Sequence, residues 1–431
     1  MNEIICRLNA EDTFTKEGAE YTVDLFSKKQ YRYTFWDDNK RKLYQSNLFN
    51  KSAIDLLYIS LMVYYADRKV SRKNTDDAWT RDIKLFIPVL ELEKWNANKE
   101  LLEKMLSFLS GDRWSFEFRK RELNEKEVKA FKGITRQKNK HRPNAICMLS
   151  GGLDSFIGTI DTLVGNRDTW FVGHYGGGKG VIKYQKNVIG KLIEQYKLSE
   201  NQFFNFFASP LQGIEDTTRT RSFMFFAHAI ILGSAFNNVL PLIIPENGLI
   251  SLNIPLTNTR LGSCSTRTTH PYYMGLLQQL LNNLSITVKL YNPYQFKTKG
   301  QIIADCKDLN FLKTNISETM SCSHPDVGRY ARETKPSHCG NCLPCVIRRA
   351  AIEYAFHTDT SNYKDNDFRG IGASENLRSY KVGLLDYAQN SIDASLAIQI
   401  SGQVVDNIEN YCTVYQNGIT ELKTLLDKYN G

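Results

Sequence analysis

The chain lacks any run of about eighteen apolar residues, so no segment reads as a membrane-spanning helix. Its first residues, MNEIICRLNAEDTF, lack the basic segment and apolar core of a secretory leader. A reducing, cytoplasmic setting is therefore the expectation. In that setting nine cysteines among 431 residues do not make a disulfide framework. Four of them bunch in the last third, which points to metal. There is no internal repeat and no low-complexity segment. The most prominent glycine turn is not followed by Gly-Lys-Ser/Thr, so it is not a Walker loop.

What is present is ordinary globular composition, 42% hydrophobic and 23% charged, in a chain long enough for two or three domains. The net charge is +9. Residues 111–142 carry eleven Lys/Arg against five Asp/Glu. Such a stretch could touch RNA, DNA or an acidic protein surface, or serve as a solvated linker.

The stretch that organises the chain is Met148-Leu149-Ser150-Gly151-Gly152-Leu153-Asp154-Ser155. The apolar run 145–149 suits a parallel strand buried on both faces. Phe156, Ile157, Ile160, Leu163 and Val164 then recur at helical spacing. A strand entering a helix through paired glycines leaves backbone N–H groups at a positive helix end, a site for phosphate. Ser150 and Ser155 add hydroxyls, and Asp154 could hold Mg²⁺ beside the phosphates. The sequence thus predicts an ATP site built from Ser150, Gly151, Gly152, Asp154 and Ser155.

Ahead of this loop, strand patterns at 3–8, 21–25, 31–36, 83–89 (broken by Pro88) and 114–118 alternate with helical patterns at 52–65 and 95–109. They predict an α+β accessory module. Asp67, Arg68, Arg72 and Arg81 form a charged group there. An ion-pair network tying helix to strand is the reading weighed against catalysis.

From residue 145 the pattern is βαβα, with strands expected at 145–149, 170–174, 203–207, 240–244 and 286–291. In a doubly wound sheet the loops at the strands' carboxyl ends meet the ligand. The loop His174-Tyr175-Gly176-Gly177-Gly178 is expected to turn over the nucleotide edge, with His174 and Tyr175 lining the adenosine pocket. Arg219 and Arg221 stand before a buried apolar helix, where the macrodipole favours anions. They make sense if an anion, an α-phosphate or a substrate carboxylate, sits between them. Glu246 and Asn247 are candidates to read a heterocycle edge. The aperiodic loop 251–270, with Arg260, Cys264 and His270, is long enough to suggest a function; Cys264 could be a nucleophile or an inert thiol. Thr298 fits a helix cap, and Lys299 beside it could neutralise phosphate or lie on the surface. Cys339, Cys342 and Cys345 at two-residue gaps, with Cys322, predict a closed tetrahedral Cys₄ site, Zn²⁺ being favoured over an iron–sulfur cluster. His324 and His338 are spare ligands.

Ser150-Gly151-Gly152-x-Asp154-Ser155 resembles the SGGxDS loop of the PP-loop ATP pyrophosphatases. With the Arg219/Arg221 pair, the Thr298-Lys299 helix start and the four cysteines, residues 145–360 resemble the QueC family, the 7-cyano-7-deazaguanine synthases. The resemblance implies adenylation of 7-carboxy-7-deazaguanine by Mg-ATP, with Asp154, Arg221 and Lys299 as catalytic groups, Arg219 among the nucleotide-binding residues and zinc structural. The chain departs from that family in its long N-terminal extension, in His174 where the family has Asp, in its long 246–270 segment and in its C-terminal tail. The Ala66-Asp67-Arg68-x-Val70-x-Arg72, Trp79-x-Arg81 and Gly111-Asp112-x-Trp114 patterns look like the QueC-like proteins of bacterial antiviral islands, QatC and the QueC-like partner of type IV CBASS. That branch implies delivery of the acyl group to an amine on a protein partner from the same defence operon; a homodimer and nucleic acid are lesser partner expectations. The expected fold is α/β: a doubly wound parallel sheet of the PP-loop (adenine nucleotide α hydrolase-like) type at 141–360, an α+β accessory domain at 1–140, and a mostly helical extension at 361–431.

Overall fold

The structure, a computed structural model, describes every residue except 10, 39–48, 126, 129–141, 176–178, 256–266, 326–335, 390–392 and 430–431. Most of the basic stretch, the Gly176–Gly178 turn, and Arg260 and Cys264 therefore lie outside the described residues.

Eleven strands are described: β1 Asn2–Arg7, β2 Tyr21–Asp24, β3 Tyr31–Tyr33, β4 Asp82–Val89, β5 Arg113–Lys120, β6 Ala145–Met148, β7 Thr169–His174, β8 Phe203–Phe206, β9 Ala208–Pro210, β10 Leu240–Ile243 and β11 Val288–Tyr291. The first sheet has the order β2-β1-β4-β5 and every pair in it is parallel. Helices cross between β1 and β4 and between β4 and β5. This unit therefore differs from the expected α+β layout, because its helices are crossovers between parallel strands. Pro88 does not break β4. Its neighbour Val89 directs its carbonyl toward β5, accepting from Arg121, so Pro88 faces β1, and β1 stops pairing at Phe86. The missing N–H falls where no partner strand needs it.

The second sheet has the order β11-β10-β6-β7-β8, all parallel. Its first strand in chain order, β6, lies between β7 and β10, so the winding direction reverses at the β6–β10 boundary. In such sheets the ligand crevice opens outside the carboxyl ends at that boundary. The loop 149–152 leaves β6 there, and Ile244-Pro245-Glu246-Asn247 leaves β10 beside it. The α/β doubly wound reading of the sequence holds.

Two features seat the first unit on the second. β3 and β9 pair antiparallel across the two units. The helix Lys51–Lys69 is buried from Ser52 to Asp67. Its residues are apolar nearly all round, as a helix enclosed on every side requires. It packs on the helix Arg221–Gly233, itself apolar and buried from Phe226 to Gly233. One continuous apolar core runs from Ile4 and Leu85 of the first sheet through Leu57 and Ile230 to Ile146 and Leu242 of the second. The C-terminal helices Ile371–Gln389 and Ile408–Leu426 form a separate core with the helix Leu343–Phe356 and with Leu249 and Leu252 beyond β10. No helix among the described residues is long and apolar enough to cross a membrane.

Candidate functional site

Between β6 and the helix Leu153–Gly165 the chain turns at Gly151, whose φ is +88°. A Cβ there would stand 3.1 Å from the Gln185 backbone, so both conformation and space require glycine. Ser150 Oγ and Ser155 Oγ stand 3.1 Å apart. The Gly152 N–H donates to Ser150 Oγ at 3.3 Å, and the Ser155 hydroxyl lies 2.9 Å from the Gly152 carbonyl. The two hydroxyls thus converge over a helix start. They open on a cleft of about 510 Å³ lined also by His174, Tyr175, Arg219, Arg221, Glu246, Thr269 and Ser321. Donors fixed by backbone geometry at a positive helix end fit the pyrophosphate of a nucleotide.

Beneath the cleft lies a buried ionic group. Asp154 accepts from the Asn247 backbone N–H at 3.2 Å and its side-chain Nδ2 at 2.7 Å. Lys299 Nζ stands 2.8 Å from the other carboxylate oxygen. Burial pushes the Asp154 pKa up, but Lys299 and the donors around it outweigh burial and hold it below the ordinary value. Glu246, half-buried and lining the cleft, goes the other way: burial and the Asp154 charge raise it well above the usual carboxylate range. The two carboxyls are thus pushed in opposite directions, Asp154 toward its ionised form and Glu246 toward its protonated form.

Asn247 is fully buried and accepts from the Ile250 N–H at the start of the helix Gly248–Leu252. It does not line the cleft, because both ends of its side chain are committed to local contacts. Lys299 likewise sits behind the cleft, 7% exposed, because the Asp154 charge needs it there. The structure so places Glu246 at the cleft and Asn247 and Lys299 as its underpinning. The Asp154 oxygens are engaged by Asn247 and Lys299, and Glu246 is the one carboxyl lining the cleft among the described residues.

The arginine wall is held from the first unit. Asp67 accepts the N–H groups of Arg219 at 2.7 Å and Thr220 at 2.8 Å, and the Thr220 hydroxyl at 2.9 Å. Asp67 is thus an anion at this helix start, held through backbone N–H groups and the Thr220 hydroxyl; it is not the ligand anion expected between the Arg219 and Arg221 side chains. The Arg219 guanidinium lies 4.1 Å over the Trp79 ring, and burial followed by the Arg72 charge lowers its pKa to about 10. Arg221, the first residue of the helix, is exposed in the cleft. Asp67 pairs with Arg81 at 2.6 Å, Arg81 with Asp112 at 2.7 Å and Arg72 with Asp112 at 2.8 Å, all buried. The ion-pair reading of these motifs is what the geometry displays. Arg68 donates to Asp216 at 2.9 Å on the same boundary.

His174 Nε2 stands 3.2 Å from the Ala208 carbonyl. Burial, then His228 and Arg221, pull its pKa down to about 3, so it meets a ligand uncharged. Tyr175 lines the cleft beside Phe207. Arg267 and His270 of the long loop are engaged elsewhere: Arg267 donates to the Phe108 carbonyl and His270 accepts from Tyr272 at a helix start.

Cys322, Cys339, Cys342 and Cys345 bring their Sγ atoms within 4.8 Å of one another. Cys322 and Cys342 stand 3.8 Å apart, as do Cys339 and Cys345. Tetrahedral Zn²⁺ with Zn–S bonds of about 2.3 Å requires thiolates about 3.8 Å apart, whereas a multi-iron cluster would spread them further. Backbone N–H groups of His324 and Cys339 point at Cys322 Sγ, and that of Cys342 at Cys339 Sγ, each at 3.3 Å. The donor set fits Zn²⁺. It fits as a structural site, because all four positions are protein thiols. His338 is not needed as a ligand; its Nε2 lies 3.1 Å from the Thr319 carbonyl.

A contact that sequence reasoning missed joins this cluster to the glycine loop. Met320 N–H donates to the Gly151 carbonyl at 3.0 Å, and the Leu153 N–H points at Ser321 Oγ at 3.5 Å. The segment leading into Cys322 therefore forms one wall of the cleft, and Ser321 adds a further hydroxyl to it. Its position directly before Cys322 was the only signal in the sequence.

Residues 269–356 match the profile of the family described as Queuosine biosynthesis protein QueC. The chain is 32% identical over 101 residues to the 7-cyano-7-deazaguanine synthase of Rhizobium rhizogenes, covering 23% of this chain and 38% of that protein. It is 38% identical over 81 residues to that of Sinorhizobium fredii (19% and 29%), and 32% identical over 108 residues to that of Rhizobium etli (24% and 41%). The chain thus spans less than half the length of these curated relatives. No solved structure matches it.

Proposed function

We propose that this chain uses ATP to adenylate the carboxylate of a 7-deazaguanine, 7-carboxy-7-deazaguanine, and passes the acyl group to an amine on a partner protein in an anti-phage defence system. The observation that carries the reading is the cleft at the β6–β10 boundary, which a glycine turn with two converging hydroxyls and the exposed Arg221 line together. The similarity of residues 269–356 to QueC, and the names of the relatives, support the substrate class.

In this reading Ser150, Gly151, Gly152 and Ser155 hold the β- and γ-phosphates through backbone N–H and hydroxyl donors. His174 and Tyr175 flank the nucleoside. A substrate carboxylate oxygen attacks the α-phosphorus, pyrophosphate leaves, and Arg221 faces the charge that builds on the α-phosphate. Asp154, Lys299 and Asn247 keep the two loops in register beneath the reacting groups. An amine then attacks the acyl carbon, the C–O bond to AMP breaks, and an amide forms with loss of a proton. Zinc supplies no chemistry; bound by the four cysteines, it would anchor the Met320–Ser321 wall. Mg²⁺ would ride on the phosphates rather than on Asp154.

The second reading is a synthase that uses ammonia and goes on to the nitrile, favoured by the printed activity of the relatives. Incubating the protein with Mg-ATP and 7-carboxy-7-deazaguanine, and following AMP and deazaguanine products by mass spectrometry, separates the two. AMP release with a mass gain on a neighbouring protein is expected. Nitrile formed with ammonia alone would favour the synthase. Absence of AMP with any acceptor would contradict both and leave a nucleotide-binding regulator.

A further inference from the structure

The N-terminal motifs have no part in the chemistry above, yet they converge on one wall of the cleft. Asp67 is fully buried and is not among the residues lining the cleft, so it does not meet a ligand there. One of its carboxylate oxygens takes three donors from Arg219 and Thr220, the residues that lead into the helix Arg221–Gly233. The other takes Arg81, which is locked in turn by two bonds to Asp112, at 2.9 and 2.7 Å, and by the carbonyls of Asp67 and Val70. Two guanidiniums lie over the Trp79 ring, that of Arg72 at 4.8 Å and that of Arg219 at 4.1 Å. Asp67 and Trp79 come from the first unit; the Arg219 and Thr220 atoms they hold belong to the second. The residue directly after the anchored pair is Arg221.

We infer that Asp67 is a positioning residue: through the backbone of Arg219 and Thr220 it sets where Arg221 stands in the cleft, so the accessory unit is an integral brace of the active site. This rests on the reading of Arg221 given above. A buried carboxylate with three donors on two consecutive residues fixes that turn more tightly than a solvent-exposed loop could be fixed, and a displacement of about 1 Å at a reacting group costs about 100-fold in rate.

The test is a double-mutant cycle on AMP release from Mg-ATP and 7-carboxy-7-deazaguanine with an amine acceptor present (ammonia or the partner protein), comparing wild type, Asp67→Asn, Arg221→Ala and both together. Asp67→Asn is expected to lower kcat by about 100-fold, to leave the affinity for a non-hydrolysable ATP analogue unchanged, and to add little in the Arg221→Ala background. Wild-type kcat in Asp67→Asn, or losses that add in full, overturns the inference. Thr220→Val removes a single donor and should give a smaller loss of the same kind; it serves if Asp67→Asn does not fold, and wild-type kcat in it would then count against the brace. If the wild type releases no AMP, the functional reading fails on its own. The brace is then read from the emission of Trp79, taken as the difference from Trp79→Phe. Displacing Arg219 from the ring should alter that emission in Asp67→Asn and Thr220→Val, and unaltered emission in both overturns it.

Discussion

Replacing Lys299 by Met should destabilise the second unit more than any other single change at the cleft. Lys299 and Asp154 are each less than a tenth exposed, and their 2.8 Å contact is what lets Asp154 stay ionised below the cleft. Removing one partner of such a pair strands a buried charge, which costs about 3–5 kcal/mol. For a cooperative unit of 150–250 residues, at about 2–4 °C per kcal/mol, the melting temperature should fall by roughly 6–20 °C. The double variant Lys299→Met with Asp154→Asn should recover most of that loss, because the stranded charge is gone while Asn247 keeps a hydrogen-bonding partner. The pH dependence gives the sign. In the wild type the folded pKa of Asp154 is depressed, so its stabilisation is present above the unfolded pKa of about 3.9 and is lost as pH falls through the folded value. In Lys299→Met burial is left to raise the folded pKa, so that variant should lose stability as pH rises and approach the wild type in acid. Thermal melts of the three proteins across pH 4 to 8 supply the comparison. Equal melting temperatures at neutral pH, or a gap that widens in acid, would refute the assignment of Lys299 as the counter-charge of Asp154.

Gly151→Ala should bind ATP analogues poorly, because its φ of +88° costs a non-glycine residue about 1–3 kcal/mol and the new methyl meets Gln185; calorimetric titration at wild-type affinity would speak against the loop as the phosphate grip. One Zn²⁺ per chain is expected by elemental analysis, and Cys345→Ser should lose both the metal and part of the nucleotide affinity, since the Met320–Gly151 contact hangs from the cluster; full affinity in metal-free protein would break that link. Glu421 on the last helix takes the hydroxyl of Thr298 and the N–H of Gly300, and burial, against those bonds and Lys299, raises its pKa to about 7. A raised folded pKa stabilises at low pH and is lost as pH climbs through that value, so wild-type stability should decline between about pH 5 and 8 and Glu421→Gln should flatten the decline. An unchanged pH profile would remove Glu421 from the account.

The parts of this site that the sequence announces are those made by neighbours along the chain. The apolar run, the two glycines and the helical period at 145–164 dictate a strand, a turn and a helix locally, and the two-residue gaps at Cys339, Cys342 and Cys345 dictate converging thiols. The strand pattern also carried the winding of the second sheet. What stayed hidden was long-range. Asp154 meets Asn247 across 93 residues and Lys299 across 145, and nothing near any of them in sequence says that they are partners; Asn247 and Lys299 were therefore placed in the cleft when they lie beneath it. Asp67 was legible as part of an ion-pair network but not as the anion before Arg221, because its contact crosses from one unit to the other. Pro88 read as a strand breaker because the sequence does not reveal that β1 stops pairing with β4 at Phe86.

The central claim is that a substrate carboxylate oxygen becomes bonded to the α-phosphorus of ATP. Labelling both carboxylate oxygens of 7-carboxy-7-deazaguanine with ¹⁸O, letting the reaction run with an amine acceptor, and weighing the AMP tests it directly. The account predicts that each AMP formed carries one ¹⁸O from the substrate. AMP free of label would contradict it.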